Sequence, residues 1–425
     1  MSDAAGGAEE RASAVDGGAV EFRLDAPFLA GRRLRALLDA LGAEGVARVV
    51  GGAVRNTILK KPIGDIDIAT TLLPERVAAL ARAAGFGVHE TGLTHGTLTI
   101  VVRGAPFEVT TLREDVSTDG RRATVRFTED WAADAHRRDF TMNALYLGAD
   151  GVGHDFVGGY RDCRDGRVRF IGDAHSRIRE DHLRILRFFR FYAAYGVGPM
   201  DEAAVGAVVE DRRLLASLPA ERILAELEKL VVAARAVETV DFIVRHDILG
   251  AVLDMPLSAD GFAALGNAAG ALSRPADAAL GFLALVGFDA GAFGRLADRL
   301  RFSRKLRARG LAAVETAALM PPATAEEARA LLYAHGAEAF ADGLVVAWAK
   351  GRAADEPGAL LAMAADWARP HFPVNGNDLL RQGGAKGPAL GARLERLERA
   401  WIASDFTLDR AALLALDREG GFGST

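Results

Sequence analysis

The hydrophobic pattern of this chain changes period near residue 172, and that change limits the folds open to it. Before it, strand and helix characters alternate. Phe28 to Leu41 has helical spacing and stops at Gly42, Val46 to Val50 is a short apolar strand running into Gly51-Gly52, and Val54 to Leu59 starts a helix. Gly64 to Ile68 alternates polar and apolar, Pro74 opens a helix that Gly85 closes, and Thr97 to Val102 and Phe107 to Leu112 read as strands. After a last strand, Val168 to Ile171, the spacing is helical almost to the end, beginning with His175 to Tyr195 and Ala220 to Ala233. The expectation is an α+β protein: a disordered tail over residues 1–22, a sheet-containing head over 23–171, then an all-helical extension with breaks near 235 and Pro322.

A chain of 425 residues is long enough for about two to four compact units, because single cores stop growing near about 250–300 residues. No apolar run approaches the roughly 20 residues that cross a bilayer, and Met1 to Gly18 is polar and Ala/Gly-rich rather than signal-like, so no membrane partner and a cytoplasmic location are expected. The single cysteine, Cys163, excludes an intramolecular disulfide and a cysteine-based zinc site. A net charge of −5 argues against indiscriminate nucleic-acid binding, and no DNA partner is expected. Distribution matters more than the sum: from Arg161 to Arg190 nine arginines face five acids, a local net of +4.

The strongest local signal is Gly51-Gly52-Ala53-Val54-Arg55-Asn56, followed by Asp65-Ile66-Asp67. On a strand, residues two apart share a face, so Asp65 and Asp67 would project together while Ile66 and Ile68 face the core. Paired carboxylates repel unless a cation lies between them, and Mg²⁺ takes a few carboxylates and completes its shell with water and phosphates. An isolated pair of this kind is as a rule a solvated strand face. The Gly-Gly turn into a helix just upstream changes that, because free N–H groups there suit a triphosphate. Glu108, opposite in face to Phe107 and Val109, joins the aspartates if its strand neighbours theirs.

Four segments in order, Gly51 to Thr71, Arg137-Arg138-Asp139-Phe140-Thr141-Met142-Asn143-Ala144, Asp155 to Gly159, and Glu180-Asp181-His182-Leu183-Arg184-Ile185-Leu186-Arg187, resemble the motifs of class II CCA-adding tRNA nucleotidyltransferases. That family also includes bacterial poly(A) polymerases. The resemblance implies a polymerase-β-like nucleotidyltransferase head followed by an all-helical neck with a base-selecting helix (172–235), a body (236–322) and a tRNA-binding tail (323–425). It implies template-independent addition of CCA to the 3′ end of tRNA from CTP and ATP by two-metal transfer. Asp65 and Asp67 would hold Mg²⁺, with Glu108 as a third catalytic carboxylate. Gly51, Gly52, Arg55, Arg138, Asp139, Asn143, Asp181, Arg184 and Arg187 would bind the nucleotide, Asp139 through the ribose hydroxyls. Asn56 departs from the pattern, since many members carry Asp there, and it is left out of the metal set.

Asp181, Arg184 and Arg187 are spaced three apart on a predicted helix and would share one face, with Glu180 orienting its neighbours. Cytosine and adenine both present an amine donor beside a ring-nitrogen acceptor, the inverse of uracil and guanine. A carboxylate accepts and a guanidinium donates, so one Asp/Arg pair would admit C and A alone. Asn375-Gly376-Asn377-Asp378-Leu379 is similar to a tail element that meets the tRNA elbow, and an ordinary loop between helices is the alternative. The charged loop from Glu114 to Arg126 is expected to move between C and A addition. His246-Asp247 lacks partner histidines at the spacing of an HD phosphohydrolase, no nucleophile elbow is present, and Cys163 is incidental. The rivals are a poly(A) polymerase or partial-CCA enzyme, disfavoured by the absence of a basic aromatic segment after the head, and a non-catalytic tRNA-binding protein, disfavoured by intact Asp65, Asp67 and Glu108.

Overall fold

A computed structural model describes residues 18–42, 45–92, 96–119, 122–383 and 386–418, and the chain divides into two compact units after Asp254. In chain order the strands are β1 (Val20–Arg23), β2 (Ala47–Val50), β3 (Asp67–Thr70), β4 (Gly87–Gly92), β5 (Thr97–Val102), β6 (Ala105–Thr111), β7 (Arg113–Asp119), β8 (Arg122–Phe127), β9 (Leu145–Leu147) and β10 (Val152–Asp155). Eight form one mixed sheet in the order β1-β10-β9-β2-β3-β6-β5-β4, in which β3 and β6 run parallel and the other pairs antiparallel. Helix α1 (Arg32–Leu41) forms because Leu34, Leu37, Leu38 and Leu41 repeat at i, i+3, i+4 and i+7, and all four are buried. Each contributes about 1.5–3 kcal/mol of apolar burial, before the entropy of ordering is set against it.

The remaining helices of the first unit are α2 (Gly52–Ile58), α3 (Pro74–Ala83), α4 (Trp131–His136), α5 (Gly159–Asp165), α6 (Ala174–Glu180), α7 (Arg184–Tyr195), α8 (Glu202–Glu210), α9 (Ala220–Leu230), α10 (Ala236–Arg245) and α11 (Gly250–Leu253). Pro74 stands at the first position of α3, where its missing N–H costs nothing.

Five expectations change. Residues 1–17 of the expected disordered tail lie outside the described residues, but residues 20–22 belong to β1, because Phe22 buries its ring in a stack on Tyr160 at 4.2 Å. The segment from Glu114 to Arg126, read as a loop, belongs to the β7–β8 hairpin, with residues 120–121 outside the described set. Val168 to Ile171 is not a sheet strand; a single bridge joins Phe170 to Phe140, because the partner segment turns into a short 3₁₀ helix at Thr141. His175 to Tyr195 is two helices: Asp181 lies between α6 and α7 in an extended conformation (φ −151°), and its Oδ1 accepts from the Leu183 N–H at 3.2 Å. The turn near 235 is no boundary between units, since the Arg235 N–H donates to the Ala193 carbonyl at 2.9 Å and Phe242 packs on Phe189 inside the first unit.

The second unit is helical: α12 (Ala259–Ala271), α13 (Ala278–Leu285), α14 (Ala290–Leu300), α15 (Arg304–Ala318), α16 (Ala325–Ala349), α17 (Pro357–Ala365), α18 (Gly376–Arg381), α19 (Pro388–Ala403) and α20 (Arg410–Arg418). The break near Pro322 separates α15 from α16 within this unit. Tyr333, Val374, Leu379, Leu397, Trp401 and Leu413 form one apolar cluster, so the C-terminal helices share a core with α16. Asn375 and Asp378 make a capping box at the start of α18, and Asp378 is buried against Arg410. Among the described residues no single helix is long and apolar enough to cross a membrane.

Candidate active site

The chain leaves β2 through Gly51, whose φ of +73° suits glycine, and its N–H donates to the Leu145 carbonyl at 3.2 Å. One turn on, buried Arg55 donates to Asn143 Oδ1 at 2.6 Å, to Asn56 Oδ1 at 2.9 and 3.1 Å and to the Tyr195 hydroxyl at 2.8 Å, with its guanidinium 4.1 Å from the centre of the Tyr195 ring. Asn56 in turn donates to the Pro62 carbonyl at 2.7 Å, which ties down the loop leading to the aspartates.

Asp67 opens β3, and the parallel register sets it directly beside Glu108 on β6. Phe107 and Val109 are buried while Glu108 is exposed, which is the face expected of it. Asp65 lies before the strand and is exposed, so only Asp67 of the pair is placed by the sheet. Burial pushes the Asp67 carboxyl above the usual range, and the neighbouring charges of Glu108 and Asp65 push it the same way while Arg138 opposes them.

A buried acid that the sequence did not single out organises the next segment. Asp134 on α4 accepts from Arg137 Nε at 2.9 Å through Oδ1, and from Arg138 Nη2 at 2.9 Å and the Tyr146 hydroxyl at 2.8 Å through Oδ2. Burial opposes its ionisation, yet the two arginines and the hydrogen bonds hold its carboxyl well below the ordinary range. Asp139 is similar: burial works against the charge, while Arg187, Asn143 and the Phe140 N–H together lower its carboxyl. Arg187 Nε donates to Asp139 Oδ2 at 2.7 Å, and Asn143 Nδ2 to Oδ1 at 3.1 Å.

At the break between α6 and α7, Asp181 Oδ2 accepts from Arg222 Nη2 of α9 at 2.8 Å. Arg184 donates to Glu180, to the Arg177 carbonyl at 2.9 Å and to the Arg137 carbonyl at 3.2 Å. Glu180 pairs with both Arg177 and Arg184.

These elements enclose a cleft of about 520 Å³. Of the residues expected to form the site, it is lined by Gly51, Gly52, Arg55, Asp67, Arg138, Asp139, Asn143, Asp181, Arg184 and Arg187, while Asp65 and Glu108 stand outside the lining. Arg113, Arg137, Leu183, Phe191 and Arg222 complete it and were missed. Seven arginines face three aspartates, a net of 7 − 3 = +4, so a chain of net charge −5 concentrates positive charge where a polyphosphate would lie.

Asp155 accepts from the N–H groups of Val157, Gly159 and Tyr160, and a Cβ on Gly159 would sit 2.0 Å from the Thr141 carbonyl oxygen, so this segment braces the turn beneath the cleft. Cys163 is buried, and burial pushes its thiol up to about 12. His246 stacks on Phe242 at 3.9 Å.

Paired acids beside a glycine turn, in a mixed-sheet head followed by helices, define a nucleotidyltransferase of the polymerase-β type. Residues 47–169 match the poly A polymerase head domain family. The chain is 34% identical over 379 residues to CCA tRNA nucleotidyltransferase 1, mitochondrial, of Danio rerio, covering 87% of this chain and 86% of that protein. It is 32% identical over 409 residues to the CCA-adding enzyme of Limosilactobacillus fermentum, covering 92% and 96%. The crystal structure of the Bacillus stearothermophilus CCA-adding enzyme in complex with CTP matches with a TM-score of 0.73 at 27% identity, covering 94% of this chain and 98% of that one. The chain belongs to the CCA-adding tRNA nucleotidyltransferase family.

Proposed function

We propose that this protein adds C, C and A to the 3′ end of tRNA from CTP and ATP, using one cleft for both nucleotides. The observation that carries the reading is that a single arginine-lined cleft holds Asp67, with Glu108 beside it, together with the Asp181–Arg184 turn. Asp139 and Asn143 reach the ribose, while Arg138 and the Gly51-Gly52 turn face the triphosphate.

Among the described residues no three His, Cys, Asp or Glu side chains are gathered to hold a metal ion by themselves. Asp67 is nonetheless half-buried among like charges, a donor set that fits a hard cation completing its shell with water and phosphate. Asp65 and Asp67 would hold Mg²⁺, with Glu108 in support. Ions held there would supply charge for ionising the primer 3′-hydroxyl and for the departing pyrophosphate. The chain's own part is positioning and charge stabilisation by the arginines.

Asp181 selects the base by accepting the exocyclic amine of C or A. Its carboxylate has about four acceptor sites, two of which are taken by the Leu183 N–H and Arg222. Arg184 has five N–H donors, of which the described bonds use three, leaving donors for the ring nitrogen. The single thiol suits a reducing compartment, and the cytoplasm is the proposed location.

The test is incubation of tRNA lacking its 3′ CCA with each labelled nucleotide in turn. Three added nucleotides are expected, with loss of both CTP and ATP incorporation in Asp65→Ala and Asp67→Ala. Unlimited adenylate would instead support a poly(A) polymerase, and retained ATP incorporation in either variant would defeat the single-site reading.

A further inference from the structure

Tyr195, the last residue of α7, stands outside the cleft lining yet is built into the residues that form it. Arg55 Nη2 donates to its hydroxyl at 2.8 Å, and the Arg55 guanidinium lies 4.1 Å from the centre of its ring. Lys61, on the loop after α2, sets its ammonium 4.7 Å from the same ring centre and donates to the Ala194 carbonyl. The Phe191 ring, one turn earlier on α7, is 5.6 Å away. The ring is therefore held by contacts that do not involve its hydroxyl, and a phenylalanine would make them equally well. Packing does not account for the hydroxyl; its bond to Arg55 does.

Arg55 is 7% exposed, so its N–H groups need acceptors within the protein or on a ligand. Of its five N–H groups the described bonds use four: Nε and one N–H of Nη2 go to Asn56 Oδ1, the other N–H of Nη2 to Tyr195, and one N–H of Nη1 to Asn143 Oδ1. None of these acceptors is a carboxylate. Three neutral groups and the faces of Tyr195 and Phe191 thus fix the direction of the guanidinium without cancelling its charge.

The consequence falls on Asn143, which lines the cleft between Arg55 and Asp139. A guanidinium can only donate and a carboxylate can only accept, so the Asn143 amide has one orientation that satisfies both. Its oxygen faces Arg55 at 2.6 Å and its nitrogen faces Asp139 Oδ1 at 3.1 Å. The described bonds leave one N–H of that amide for a ligand.

We infer that Tyr195 is a positioning residue for ribose recognition: its hydroxyl fixes Arg55, Arg55 fixes the Asn143 amide, and Asn143 presents its remaining N–H to the 2′-hydroxyl oxygen of the incoming nucleotide. This rests on the ribose contact proposed above and adds to it a residue from the end of α7 that touches no substrate.

The test is Tyr195→Phe in the full-length chain, which keeps the ring against Arg55 and Lys61 and removes a single hydrogen bond. Affinities for CTP and 2′-deoxy-CTP are measured by titration calorimetry, and kcat/KM for each by incorporation into tRNA lacking CCA. The preference for CTP should fall about tenfold in binding and in turnover alike, the low end for a hydrogen bond to a charged group, because Arg55 keeps its other partners. A general loss of structure would weaken both nucleotides together and leave that preference unchanged. The control is Tyr192→Phe, on the same helix, whose hydroxyl donates to the Gly198 carbonyl at 2.7 Å outside the cleft lining; it should keep the parental preference. A Tyr195→Phe preference within about twofold of the parent, an equal fall in the control, or a parent that binds both nucleotides equally overturns the inference. Parent protein that prefers CTP in calorimetry but adds no nucleotide would refute the catalytic reading, and the calorimetric comparison of the two variants would still decide the role of Tyr195.

Discussion

Replacing Asp134 by asparagine should both destabilise the first unit and loosen nucleotide binding. The carboxylate is 1% exposed and is shared by Arg137, Arg138 and Tyr146. Removing one member of a buried ion pair costs roughly 3–5 kcal/mol, because the partner charge is left uncompensated. Arg137 and Arg138 keep 16% and 19% of their side chains exposed, so water recovers part of that loss and the lower end, about 3 kcal/mol, applies. For a unit of this size that is roughly 6–12 °C in thermal midpoint. Asp134 titrates well below its ordinary value of 3.8 when folded, so its contribution is present above that value and is lost as pH falls through the folded value. The gap between parent and variant, measured by urea unfolding, should therefore be full at pH 7 and shrink below about pH 4. Because both arginines line the cleft, KM for CTP and ATP should rise more than KM for tRNA. A variant within about 0.5 kcal/mol of the parent at pH 7, with unchanged nucleotide KM, would refute the reasoning.

Asp181→Ala and Arg184→Ala should lower kcat/KM for CTP and ATP together and narrow their advantage over UTP and GTP by very roughly a hundredfold, since a mispaired base leaves two buried groups unsatisfied at about 1–3 kcal/mol each. Arg222→Ala should narrow it less, because it removes only the group that holds Asp181; unchanged selectivity in all three would reduce the cluster to a structural salt bridge. Cys163 should resist iodoacetamide at pH 8 in the native protein and react once in denaturant, as counted by mass spectrometry, and fast native labelling would contradict its burial.

What the sequence disclosed and what it hid divide along a physical line. Contacts made by neighbours on one element were legible: the leucine stripe of α1, the start of α3 at Pro74, and the face of Glu108 all follow from local periodicity. The β7–β8 ribbon escaped because its strands are rich in charged and small polar residues, so no apolar alternation marks them. The break at Asp181 escaped because apolar residues at helical spacing continue on both sides, with Ile178 and Ile185 both buried, while the cause is one side chain capping the N–H two residues on.

Asp134 shows the limit within the site. An acid three and four residues before two arginines is, in sequence, an ordinary surface pair worth a few tenths of a kcal/mol. It becomes an organising charge only because Tyr146, on a strand twelve residues later, closes over it. Arg222 lies 41 residues from Asp181, and nothing local to either predicts their meeting. The order of the motifs could place the reacting groups in one head, but which charges hold those groups still is settled by the packing of α4 on β7 and of α7 on α9. Substitutions in that supporting layer therefore test the proposed site more sharply than further substitutions of the acids themselves: they change how well the cleft is formed and leave its chemistry intact.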